Sequence, residues 1–345
     1  MKKLPIGIQD LRKLRAEDFI YIDKTPQIYE LIKDGGYYFL SRPRRFGKSL
    51  LVSTIAELFK GNKALFNDLW ISNHWDWNKT NPTIEFRFNN AAYREVGLKQ
   101  YLSDRIKEQA KRYAISLSTK SYPDQLKELI ETLAEQYGQV VFLVDEYDKP
   151  IIDYLDDVPK AEEHRDILKI FYSVLKPLDI HLRFVFLTGV SKFSRMSIFS
   201  ELNNLNDITM HPKYATMLGY TQKELLAYFA EHITKITTKY ESREALLDQI
   251  QLWYNGYTWD GKNKVYNPFS TLSFFDSGVF RSFWFETGTP TFLIKLLQDR
   301  HMINLEEMET DATTLESFDL HKISTETLLF QTGYITIKKI NPFGL

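Results

Sequence analysis

Leu40-Ser41-Arg42-Pro43-Arg44-Arg45-Phe46-Gly47-Lys48-Ser49-Leu50 decides how this chain is read. Ahead of it, Tyr37-Tyr38-Phe39-Leu40 follows Gly35-Gly36 as a short run of β-favouring apolar residues, which predicts a buried strand. Behind it, Leu50, Leu51, Ile55 and Leu58 fall at helical spacing over Ser49 to Phe59, and Gly61 supplies a stop. Strand, basic glycine-containing loop and helix are the setting a phosphate loop needs. Gly47-Lys48-Ser49 fit the end of the pattern G-x-x-x-x-G-K-[ST], while Arg42 stands where its first Gly belongs. In such a loop the backbone N–H groups at the helix N-terminus face phosphate oxygens, and the helix dipole adds to the attraction. Gly47 lets the backbone come close, Lys48 reaches the β- and γ-phosphates, and the Ser49 hydroxyl ligates magnesium. Arg42, Pro43, Arg44, Arg45, Phe46 and Leu50 complete the stretch that lies along the phosphates, and its three arginines add positive charge beside a polyanion.

A second motif lies far downstream. Val140-Val141-Phe142-Leu143-Val144 is a continuous apolar run of the kind found in a central parallel strand covered on both faces, and it ends in Asp145-Glu146. Apolar residues followed by Asp form the Walker B pattern, at the strand end where open α/β sheets bind ligands. Asp145 is expected to hold magnesium together with Ser49, and Glu146 to polarise the attacking water as general base. Between the two motifs along the chain, Thr83 to Phe88 alternates apolar and polar residues and predicts another strand. An extra strand between the phosphate-loop strand and the acidic strand, with Glu beside Asp, favours an ATPase over a simple kinase or GTPase, and no Asn-Lys-x-Asp guanine sequence occurs. Leu182 to Leu187 predicts a further strand; Thr188 at its end is placed to sense the γ-phosphate, and Arg195, beyond Ser191 and Lys192, to act as an arginine finger. Asp207 to Met210 is a fifth strand candidate.

Strands separated by helical segments imply a three-layer αβα sandwich with right-handed crossovers. The pattern changes near Gly219: Leu225, Leu226, Phe229 and Ile233 form one helical stripe, and Leu246, Leu247, Ile250, Trp253 and Tyr254 another. The next strand pattern is Tyr334 to Ile337, followed by an abrupt turn-like end at Asn341-Pro342-Phe343-Gly344-Leu345. The expected division is a P-loop core over 1–218, a helical lid over 219–280 and a winged-helix-like region over 281–345. The 345 residues balance 44 Lys+Arg against 45 Asp+Glu, which argues against a chain that is basic throughout and binds nucleic acid by charge alone. With no Cys, disulfides, thiolate metal sites and a Cys nucleophile are excluded. No signal-peptide pattern and no apolar run approaching the ~20 residues of a membrane span occur, so a cytoplasmic protein without a membrane partner is expected.

Ile6-Gly7-Ile8-Gln9-Asp10, Tyr21-Ile22-Asp23-Lys24-Thr25, the Arg42–Ser49 string, Val144-Asp145-Glu146-Tyr147-Asp148-Lys149-Pro150, Leu187-Thr188-Gly189-Val190-Ser191-Lys192-Phe193, Trp253-Tyr254-Asn255-Gly256-Tyr257 and Tyr266-Asn267-Pro268 together resemble the bacterial AAA-ATPase-like family, related to archaeal and STAND-type ATPases. The resemblance implies an ATPase core with a helical lid and a winged-helix-like end, and makes Arg42 a normal residue at its position. It also implies that Tyr21, Asp23 and Thr25 lie near the adenine end of the nucleotide. Members often continue into a PD-(D/E)xK nuclease-like domain; this chain is expected to stop short of one, and Glu85-Phe86-Arg87 is a poor imitation of that motif.

The expectation is therefore an ATP- and magnesium-dependent switch, in which Lys48, Glu146, Thr188 and Arg195 serve hydrolysis and a homo-oligomer or partner protein completes the output. Two alternatives stand beside it: a nucleotide-binding assembly module without turnover, and a DNA binder using Lys338 and Lys339 near the C-terminal end.

Overall fold

A five-stranded, wholly parallel sheet organises the computed structural model, which describes residues 1–89, 92–192, 198–284, 310–311, 314–315 and 324–340. In chain order the elements are α1 (Leu11–Ala16), α2 (Thr25–Ile32), β1 (Gly36–Ser41), α3 (Lys48–Phe59), β2 (Thr83–Arg87), α4 (Tyr93–Val96), α5 (Leu98–Arg112), α6 (Tyr122–Tyr137), β3 (Val140–Asp145), α7 (Lys149–Ile152), α8 (Val158–Ser173), β4 (Leu182–Gly189) and β5 (Asn206–Asp207). Across the sheet they run β2-β3-β4-β1-β5.

The apolar run of β3 explains its central place. Val140, Phe142 and Val144 point into one core layer, with Leu102 and Ile106 of α5, Leu126 and Leu129 of α6, and Leu168 and Phe171 of α8. Val141 and Leu143 point into the opposite layer, with Ile28 and Leu31 of α2 and Leu51, Val52 and Ile55 of α3. All five β3 side chains from Val140 to Val144 are fully buried. Burial of each contributes about 1.5–3 kcal/mol over exposure, so no polar residue fits this strand before its end.

This order corrects one detail of the sequence reading. Along the chain β2 separates the phosphate loop from the acidic strand, but in space it lies at the far edge, beyond β3. The strand between β1 and β3 is β4, which arrives later in sequence and pairs with both. After β1 the chain crosses to β2 and steps back through β3 to β4. It then passes beyond β1 to β5, which leaves a crevice above the carboxyl ends of β1, β4 and β3.

The fifth strand is shorter and starts earlier than the expected Asp207–Met210. Only Asn206 and Asp207 pair with β1, because Asp207 Oδ1 accepts the Thr209 N–H at 2.9 Å and turns the chain away. Beyond it follow α9 (Gln222–Tyr228), α10 (Ala230–Thr237), α11 (Arg243–Tyr254) and α12 (Pro268–Ser277), whose apolar stripes enclose Leu225, Phe229, Ile233, Leu246, Ile250 and Phe274. A capping box of Thr221 and Glu224 starts α9, and Glu224 also pairs with Lys24 Nζ at 2.6 Å, tying these helices to the start of α2.

The strand expected over Tyr334–Ile337 is not formed. The helix Thr325–Thr332 ends in a left-handed Gly333, and the N–H groups of Tyr334 and Ile335 both bond back to Leu329 O, at 2.8 and 3.3 Å. Thr336 Oγ1 then accepts from Thr258 N and donates to Gly256 O, so the segment lies against the 256–259 loop instead of joining a ladder. Most of the expected winged-helix region, with the 341–345 turn, lies outside the described residues. Among the described residues no helix is long and apolar enough to cross a membrane.

Candidate functional site

The crevice over β1, β4 and β3 holds a cavity of about 370 Å³. Of the residues singled out in sequence it brings together Arg44, Arg45, Gly47, Lys48, Ser49, Leu50 and Glu146 along its wall. Gly47 caps α3 with φ 93°, a left-handed conformation that a side chain resists, and so turns the loop onto the helix N-terminus. Lys48 is buried and its Nζ donates to Arg42 O and Pro43 O, each at 2.9 Å, which folds the ammonium onto the loop itself. Burial pushes its pKa down, and Asp145, Glu146 and Asp148 pull it partly back up.

The acidic end of β3 faces this lysine. Asp145 stays in the sheet, 2% exposed, and the Ser49 hydroxyl beside its carboxylate favours the charged form against burial. Among the described residues its Oδ1 is buried without a hydrogen-bond partner, an expensive state for a carboxylate oxygen unless a cation meets it. Glu146 takes φ 56°, uncommon for a residue with a side chain, and this turn separates its direction from that of Asp145. Burial raises the pKa of both carboxyls, and the Asp145 charge raises that of Glu146 further.

Other expected residues have different places. Arg42 is buried beneath the loop and faces away from the cavity: Nη1 donates to Ser41 O and Thr209 O, each at 2.8 Å, and Nη2 to Tyr214 O at 3.3 Å. Pro43 and Phe46 are also buried, Phe46 edge-on to Tyr257 and Trp259 at 4.9 and 5.4 Å between ring centroids. Thr188 is fully buried and spends its hydroxyl on Leu40 O at 2.7 Å, joining β4 to β1. Arg195 lies outside the described residues.

Tyr21, Asp23 and Thr25 divide. Tyr21 lines a second, mostly apolar cavity of about 90 Å³ with Ile20, Ile22, Leu50, Met217 and Tyr220, continuous with the loop at Gly47. Asp23 and Thr25 are spent on structure: Asp23 Oδ1 accepts from Thr25 N, Asp23 Oδ2 from Trp70 N, and Thr25 Oγ1 from Ile71 N.

Several cavity residues carried no assigned role in the sequence reading: Gly7, Gln9, Asn89, Asp148, Lys149 and Phe269. Gly7, Gln9, Asp148 and Lys149 stand inside the quoted motifs, but spacing alone does not show which residue of a motif faces the cavity. Asp148 is the most informative. It is buried, and its Oδ2 accepts from Val190 N at 3.0 Å and Ser191 N at 2.6 Å, while Tyr147 OH donates to Ser191 O at 2.9 Å. The acidic motif thereby holds the segment after β4 in place. Gly189 makes room for this: a Cβ there would stand 2.6 Å from Tyr147 Cδ1 and collide with Asp148 Oδ1. Gly189→Ala is expected to destabilise the fold by about 1–3 kcal/mol, read as a lowered thermal midpoint; an unchanged midpoint would mean the clamp is loose.

A family model described as predicted AAA-ATPase matches residues 5–199, which include the whole sheet except β5, and Asp145, Glu146 and Asp148 with it. The chain belongs to the predicted AAA-ATPase family. Over 348 aligned residues it is also 43% identical to an uncharacterized protein in the vnfD 5' region of Azotobacter chroococcum mcd 1. That alignment takes in 99% of this chain and 66% of the relative, so the chain spans just under two thirds of the relative's length. Membership of the predicted AAA-ATPase family supports a nucleotide-binding type of protein.

Proposed function

We propose that this chain binds ATP with magnesium in the crevice over β1, β4 and β3, hydrolyses it slowly, and uses the bound state as a switch. The observation that carries the reading is the meeting of two sequence-distant motifs: the Ser49 hydroxyl against Asp145, and Lys48 and Glu146 on one cavity wall. Ser49 and Asp145 would hold magnesium, whose chemistry is to neutralise charge on the phosphates. The orphaned Asp145 Oδ1 fits that demand. The N–H groups at the start of α3 and Lys48 would bind the phosphates, with exposed Arg44 and Arg45 at the rim. The apolar cavity beside Tyr21 and Tyr220 would receive the base. Glu146 would take the proton from the attacking water.

One observation favours the second reading, a nucleotide-holding module with little turnover. Thr188, the polar residue expected to face the γ-phosphate, is committed to Leu40 O. Asn89, two residues beyond β2, is a neutral polar side chain that lines the cavity.

Calorimetric titration tests the common core of both. MgATP is expected to bind, ATP in excess chelator about tenfold weaker or worse, and MgGTP weaker than MgATP. Absence of binding by either nucleotide overturns the proposal, and binding without turnover selects the second reading.

A further inference from the structure

Arg42 replaces the residue that ordinarily relieves the turn of a phosphate loop, and the fold buries it to 1% exposure. A glycine would fill the turn without bringing a charge inside. Among the described residues the guanidinium has hydrogen bonds only to carbonyl oxygens, its Nε has none, and Asp207 and Asp260 act on it from a distance. Burying a cation this way is costly, so what it contacts matters. Its three carbonyls belong to the end of β1, the turn after β5 and the short helical turn at Pro212–Tyr214 that precedes the helical region. Its flat face lies over Trp259, with the guanidinium carbon 3.9 Å from the ring centroid.

The neighbouring residue makes a similar contact. Pro43 packs so closely on Gly333 that a Cβ on that glycine would stand 2.9 Å from Pro43 Cβ. Arg42 and Pro43 are also the two residues whose carbonyls hold the Lys48 ammonium. The cation at the cavity wall is thus hydrogen-bonded to the two loop residues that touch the Trp259 loop and the end of the helix Thr325–Thr332.

We infer that Lys48, Arg42 and Trp259 form a relay: phosphate draws the Lys48 ammonium off the Arg42 and Pro43 carbonyls, and these residues pass the change to the helical region through Trp259 and Gly333. The inference rests on the nucleotide reading above and deepens it. The full opposite charges of ammonium and phosphate attract more strongly than an ammonium and the dipole of a neutral carbonyl, so the transfer is downhill. The freed carbonyls must then find other donors or move. Arg42 is a positioning residue here, with no contact to the phosphates.

The test follows tryptophan emission and binding heat during MgATP titration of the wild type, Trp259→Phe, Arg42→Gly and Arg42→Lys. The chain has six Trp, so the share of Trp259 is the difference between the wild type and Trp259→Phe. An emission change on binding is expected in the wild type and is expected to be lost in Trp259→Phe, which still binds. Arg42→Gly restores the ordinary loop pattern yet is expected to bind about tenfold weaker, with Arg42→Lys between the two. Arg42→Gly binding as tightly as the wild type, or an emission change that survives in Trp259→Phe, overturns the relay while leaving the nucleotide reading intact. Failure of the folded wild type to bind any nucleotide sinks both. If Arg42→Gly does not fold by circular dichroism, Trp259→Phe decides alone.

Discussion

Lys48→Ala is expected to lose MgATP binding by about 10²- to 10⁴-fold while the nucleotide-free protein keeps its thermal midpoint. The two halves of this prediction have separate causes. In the bound state the ammonium would give charge-assisted hydrogen bonds to phosphate, each worth about 1.5–3 kcal/mol, and two of them account for the loss in affinity. In the free state the same ammonium is a cost. It is buried, and burial lowers its pKa against the pull of three carboxylates. Its partners, Arg42 O and Pro43 O, are neutral. Removing it takes a charge out of the interior, which offsets the two lost bonds. Calorimetry and differential scanning on the same sample measure both halves. If Lys48→Ala binds MgATP within twofold of the wild type, the phosphates do not sit on this loop.

The parts of the fold that were legible in the sequence are those where local pattern and global position agree. β3 reads as central because a strand buried on both faces tolerates no polar residue, and Val140 to Val144 contain none. The phosphate loop reads well because Gly47-Lys48-Ser49 need a strand before and a helix after, and the pattern supplies both. What was not legible depends on partners far along the chain. No spacing rule says that β4 enters between β1 and β3, since strand order is set by which crossovers pack. Arg42 in the motif looks like one more cation for the phosphates; its burial needs Thr209, Tyr214 and Trp259, all remote in sequence. Thr188 reads as a polar sensor at a strand end, yet a strand-to-strand hydrogen bond uses its hydroxyl. Tyr334 to Ile337 has strand composition, but the left-handed Gly333 returns its N–H groups to the preceding helix.

Glu146→Gln is expected to cut ATP turnover by about 10²- to 10⁴-fold, the usual contribution of a positioned general base, with MgATP binding retained or tightened. Binding survives because the amide keeps the size of the carboxylate. It tightens because one negative charge is removed beside the triphosphate. The pH dependence provides the second test, and its sign follows from the site. Burial and the neighbouring Asp145 both raise the pKa of Glu146 above the ordinary value of 4.5. A general base works only when deprotonated. Wild-type turnover should therefore be constant at high pH and fall about tenfold per pH unit as pH drops below that raised pKa, at a higher pH than an ordinary glutamate would set. The residual turnover of Glu146→Gln should lack this limb. Protonation of Asp145, whose pKa burial also raises, would weaken magnesium binding in the same direction. Saturating magnesium separates the two, because it restores activity lost through Asp145 and leaves the Glu146 limb in place. Equal rates for the wild type and Glu146→Gln across the whole pH range would remove Glu146 from the chemistry and leave Asn89, two residues beyond β2, as a polar side chain to orient water in the cavity.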